Sequence, residues 1–128
     1  MVDLEKPYLN EKELDILFQN GLIEYRLGNF YKAHEIWEDM WHYQQLTDRQ
    51  LIQGLIQLAA SFYKIQCSNI NGARSLLDKS IKKISTFSGQ HRNINVDLLK
   101  DELNNIQKIF FQIDDTKDFS LKMVPKLN

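Results

Sequence analysis

Apolar side chains recur at three- and four-residue steps in five successive runs of this chain, a spacing that fits helix and little else. Leu14, Leu17, Phe18, Gly21, Leu22 and Tyr25 form the first run; Asn10 opens it, with Glu13 three residues on in a capping-box pattern, and Gly28 stops it. Asn29 caps the second run, Phe30, Ala33, Trp37, Met40 and Trp41. Thr47 or Asp48 opens a third, which reaches about Gln66. Asn69 or Asn71 opens a fourth, with Ile70, Ala73, Leu76, Leu77, Ile81, Ile84 and Phe87 as its core face. After a break at Ser88-Gly89-Gln90-His91-Arg92, Asn95 caps a fifth run, Val96, Leu99, Leu103, Ile106, Phe110 and Ile113. No segment alternates apolar and polar residues convincingly at every second position, so strands are not expected.

Shifting the chain by 40 residues puts Leu17 on Gln57, a mismatch, but superimposes Phe18 on Leu58, Gly21 on Ser61, Leu22 on Phe62, Asn29 on Asn69, Ala33 on Ala73 and Trp37 on Leu77. Small residues fall on small and large on large, as stacked helical hairpins require, because a small residue lets two helix backbones approach. The fold class expected is all-α: a five-helix bundle of two repeated helical hairpins plus a C-terminal helix. At 128 residues the chain suits a single domain, residues 1–114, able to bury roughly two thirds of its unfolded surface. Residues 115–128 read as an extended tail, since Pro125 blocks a regular helical end; Phe119, Leu121 and Val124 are available to dock on the bundle.

Several function classes are disfavoured at this level. No window approaches the ~20 apolar residues of a membrane helix. Met1–Pro7 is acidic and polar and lacks the apolar core of a secretory signal. The single cysteine, Cys67, has no disulfide or zinc-ligand companion; it reads as a small hydrophobe in a reducing compartment. Residues 1–64 carry six Lys/Arg against ten Asp/Glu and residues 65–128 ten against seven. So mild an asymmetry argues against a nucleic-acid binder and leaves self-association of opposite-signed halves open. Lys79, Lys82, Lys83 and Arg74 read as the solvated face of the fourth helix. No serine sits in a glycine-rich elbow and no loop is built to cradle phosphate.

What remains chemical is one edge of the second helix. At ~100° per residue Trp37 centres the buried stripe, His34 lies at its edge, and Glu38 sits one turn on, within reach of His34. Glu35 points to another side. The third helix carries a polar row, Gln50, Gln53, Gln57, Ser61 and Lys64, and a short connection makes the two helices antiparallel. The expectation is that Gly54 admits the Trp37/Trp41 face, that the glutamine row meets the His34/Glu38 edge, and that Arg49 stands at the mouth as a carboxylate partner. His34-Glu35-x-x-Glu38 imitates a helical metal-ligand spacing, but His42 lies ~12 Å along the axis from His34, too far to share an ion. No metal and no cofactor is therefore assigned.

The run from Gly28 to Trp41, followed by Arg49 to Ala60 and by Asn69-Ile70-Asn71-Gly72-Ala73, resembles the domain of unknown function 309 family over about residues 10–88. The resemblance implies a small all-helical domain of bacteria and photosynthetic lineages, with no established activity. On that pattern His34, Glu35, Glu38, Trp41, Arg49, Gln53 and Gln57 are the matching polar and aromatic positions. The family pattern often has a histidine after the Ala-Ala run, where this chain has Phe62 and Tyr63.

Three function classes stand. The first is a non-enzymatic interaction or scaffold module, gripping a protein partner or a second copy, with no nucleic acid and no membrane. The second is a metal- or small-molecule-binding enzyme using His34 as base or ligand and Glu38 to orient it. In the third, the polar residues form a satisfied network that only fixes helix register. The compartment expected is cytoplasmic, or the plastid stroma if the gene is organelle-encoded.

Overall fold

The computed structural model describes residues 8–43 and 46–128, so the reading of Met1–Pro7 lies outside it. Among the described residues run helices α1 (Glu11–Arg26), α2 (Phe30–Trp41), α3 (Arg49–Gln66) and α4 (Ile70–Ile84), a two-strand hairpin of β1 (Gln90–His91) and β2 (Ile94–Asn95), and helix α5 (Val96–Gln112). Each helix packs chiefly on its neighbour in sequence. The result is the all-α bundle that the apolar spacing implies, and none of its helices is long and apolar enough to cross a membrane.

Local sequence explains most boundaries. Asn10 accepts from the Glu13 amide at 2.8 Å while the Glu13 carboxylate accepts from the Asn10 amide at 3.1 Å, a complete capping box. Asn69 accepts from the Gly72 amide and Asn95 from the Leu98 amide. Two caps work differently from expectation. Asn29 makes no side-chain cap; its amide donates instead to the Glu24 carboxylate at 2.9 Å. Asp48 makes none either, because Arg92 takes both its oxygens at 2.6 and 3.0 Å.

The 40-residue repeat is physical. Gly28 (φ +82°) and Ser68 (φ +60°) occupy left-handed positions at equivalent places. The amides of Asn29 and Asn69 then donate to the carbonyls of Glu24 and Lys64, both at 2.9 Å. Glycine makes the first left-handed turn at little cost, whereas the second asks it of a serine. Small residues set the helix approaches. The Trp37 indole lies over Gly21, stacks on Phe18 with ring centroids 5.7 Å apart and donates to the Phe18 carbonyl at 3.2 Å. Across α3 and α4, Ser80 donates to the Gly54 carbonyl and Ser61 to the Ala73 carbonyl. Gly54 therefore faces Ile84 and Lys83 of α4 and not the tryptophans of α2; the glycine that admits a tryptophan is Gly21.

The break at residues 88–92 forms strands despite the lack of alternation. Arg92 and Asn93 both take positive φ (49° and 62°), the turn that a two-residue hairpin demands. Residues 116–118 and 121–123 make single 3-10 turns. Phe119 is buried, stacked on Phe62 at 6.0 Å and edge-on to Phe110 at 5.0 Å. Val124 is half-buried and Leu121 exposed, so Phe119, Pro125 and Leu127 do the docking. Arg26 fastens this segment by donating to the Lys126 and Leu127 carbonyls, both at 2.9 Å.

Two predictions follow from this packing. Gly21→Ala should lower stability by about 1–3 kcal/mol in urea unfolding, because the added methyl would overlap the indole ring. Alanine's helix-propensity gain of about 1 kcal/mol does not offset that overlap. On α5, desolvation raises the Glu102 carboxyl above its ordinary pKa, so folding favours its protonated form and the residue costs stability as pH rises through that window. Glu102→Gln should therefore raise the urea midpoint at neutral pH and leave it unchanged below the ordinary carboxylate pKa of ~4.

Candidate functional site

The polar motif divides into two parts that do different work. At the base of the α2–α3 hairpin, the Trp41 indole donates to the Arg49 carbonyl at 3.0 Å. The Arg49 guanidinium in turn donates to the carbonyls of Trp41 at 2.6 Å and Tyr43 at 3.2 Å, and its carbon lies 4.0 Å over the Trp41 ring. Carbonyls at the end of α2 have no partner within the helix, so a fork-shaped cation satisfies them and complements the helix dipole. Arg49 thus caps a helix and stacks on an indole. It does not pair with a carboxylate as expected, because the end of α2 offers it carbonyls at the short connection.

Further along α2, His34 Nε2 stands 3.4 Å from the Glu38 carboxylate, the i, i+4 contact that the spacing implies. His34 borders a recess of about 180 Å³ together with Tyr31, Ala60, Tyr63 and Lys64. The Tyr31 and Tyr63 ring centroids lie 5.0 Å apart, and Tyr31 is 5.7 Å from the imidazole. A hydrogen bond with the Cys67 thiol raises the pKa of the Tyr63 phenol. Cys67, read as a small hydrophobe, is exposed at the C-terminal cap of α3, where the left-handed turn at Ser68 begins.

The glutamine row meets His34 only in part. Gln53 and Gln57 are half-buried, and neither bonds to His34 or Glu38. Gln57 Oε1 and His34 Nδ1 are both buried without a hydrogen-bond partner. Ser61 leaves the row altogether, turned toward α4 by its bond to Ala73. Glu35 is exposed on another side of α2, as its position on the helix implies. Among the described residues no three His, Cys, Asp or Glu side chains cluster closely enough to hold a metal ion.

Other polar residues carry long-range work that spacing did not signal. Arg92 joins Asp48, the residue before α3, and approaches Glu11 of α1 at 3.6 Å, with its guanidinium 5.4 Å from the Phe18 ring. Arg74 leaves the solvated face of α4 and donates to the Phe110 and Ile113 carbonyls at 2.8 and 2.6 Å, closing the C-terminal end of α5. Apart from a bond from Arg74 to the Asn71 side chain, the partners of both arginines lie 36 or more residues away, so no local pattern could reveal them.

Fold and site together define a small all-helical domain built on a repeated hairpin, with its polar motif split between a hairpin clamp and a histidine recess. Residues 18–76 match the model of the domain of unknown function DUF309. The matched segment holds the whole motif and ends within α4. No curated protein matches the chain.

The clamp makes a direct prediction. Arg49→Lys keeps the charge but loses the planar fork and the stacked geometry, so it should lower stability by about 1–3 kcal/mol. Urea unfolding measures the loss, and a shift in tryptophan emission reports the loosened Trp41 indole.

Proposed function

We propose that this domain is a non-enzymatic interaction module, engaged by a protein partner or a second copy of the chain through the α2 face that carries Tyr31, His34 and Glu38, with Glu35 on the adjoining side. The observation that carries the reading is the size of the recess beside His34. At about 180 Å³ it falls below the ~300–1,000 Å³ typical of small-molecule pockets, yet it has room for one inserted side chain. Tyr31 is half exposed, and paired tyrosines make rigid anchors at low entropic cost. Glu35, Glu38 and Asp39 lie exposed along the same helix, so a basic side chain stacked on the tyrosines is the partner chemistry that fits. Trp41, Arg49, Gln53 and Gln57 then act as scaffold, holding α2 at its angle to α3.

A second reading rests on one atom. His34 Nδ1, buried and without a partner, favours a metal- or small-molecule-binding enzyme in which His34 is base or ligand and Glu38 orients it. Metal analysis of the purified protein and of His34→Ala separates the two: stoichiometric metal lost in the variant supports the enzyme and displaces the interaction module. For the compartment we infer the cytoplasm, or the plastid stroma if the gene is organelle-encoded; the lone, exposed Cys67 thiol supports a reducing environment.

A photoreactive phenylalanine at position 31 should give one discrete adduct, either a dimer of this chain or a single partner, and Glu38→Lys should abolish it. The same group at Asp101, exposed on α5, should give none. Equal adducts at both positions, or none at position 31, overturn the reading.

A further inference from the structure

A second recess, far larger, lies where the end of α1 meets residues 121–128. We propose that it binds a small organic anion with an apolar body, in chemical class a medium-chain carboxylate. Its volume of about 640 Å³ falls inside the ~300–1,000 Å³ range of preformed ligand pockets. Tyr25 and Phe30, both buried, contribute to its lining. Leu27 and Leu121, 69% and 45% exposed, stand as its walls. Leucines left that open lose apolar surface to water, and an alkyl body lying between them would cover it.

The charged side chains that line the recess are cations. Arg26, Lys122 and Lys126 all line it, and among the described residues no Asp or Glu does; Glu102, close enough to act on Tyr25, belongs to the adjoining recess that shares Lys122 and Lys126. Arg26 already donates to the Lys126 and Leu127 carbonyls, so it holds the wall in place while adding its charge. Lys122 and Lys126 are exposed and form no ion pair among the described residues. Leu127 takes φ +61°, costly for a leucine, and is buried while its neighbour Lys126 is exposed. An apolar floor ringed by cations selects an amphipathic anion over a neutral or cationic molecule of the same length. The site joins Tyr25 to Phe30, inside the segment matched by the family, to a C-terminal wall outside it. It lies apart from the His34 recess, so its fate is independent of the function proposed above.

Calorimetric titration with decanoate and with decanol, on the full chain, tests the proposal. Decanoate should saturate one site and decanol should bind at least ~10-fold more weakly, the difference that one charge-assisted contact supplies. Lys122→Gln combined with Lys126→Gln should weaken decanoate and spare decanol, and Leu121→Asp should lose both. These positions are exposed, and unchanged thermal midpoints confirm folding. Amide shift changes on the wild-type protein should centre on Leu27, Leu121 and Val124. Equal affinity for the two ligands, absence of saturation, or shifts centred on α2 overturn the proposal. So does a concentration-dependent dimer abolished by Leu121→Asp, which would make a second copy the occupant.

Discussion

The Trp37 indole seated over Gly21 is the contact on which the rest of the bundle depends. It is the largest fully buried side chain of the core, and its N–H meets the Phe18 carbonyl at the same point. A buried indole nitrogen left without an acceptor costs much of what burying its ring gains. The bond therefore fixes both the approach of α1 to α2 and the rotation of α2 about its axis. That rotation sends His34 and Glu38 to one edge and leaves Tyr31 beside Tyr63. The face proposed for partner contact is a consequence of where one indole could be satisfied.

Backbone carbonyls at chain reversals are the other organising demand, and arginine meets it repeatedly. Arg49 closes the end of α2, Arg74 the end of α5, and Arg26 the returning C-terminal segment. A planar guanidinium with five donors suits such ends better than an ammonium group. Arg92 differs by taking carboxylates, tying the residue before α3 to the hairpin before α5. Much of the cationic side-chain chemistry in this protein is architectural, which narrows the residues left for binding to the α2 face and the lysines around the larger recess.

The helices, their order and the hairpin repeat were legible because they rest on local spacing: apolar steps, Asn caps and small-for-small matching. The His34–Glu38 contact was legible for the same reason, being one turn apart on a helix. The role of Arg49, the direction of Gly54 and the second duty of Asp48 were not. Each depends on which of two neighbouring helices a side chain faces, or on a partner tens of residues away. The two-strand hairpin escaped because two positive-φ residues, and not alternation, create it. The recess between α1 and the C-terminal segment was invisible because it exists only once residues 121–128 have folded back.

Packing mostly between consecutive helices also governs how the chain assembles. Contacts close in sequence need little loop closure, so successive hairpins can form quickly and one at a time. The bonds from Arg26 to the Lys126 and Leu127 carbonyls span 100 and 101 residues and belong to the opposite regime. Their closure carries the entropic cost of the whole intervening chain unless the helices between have already shortened it. Long loop closure therefore makes the C-terminal segment a late addition to the bundle, and that segment joins the start of the bundle to its end.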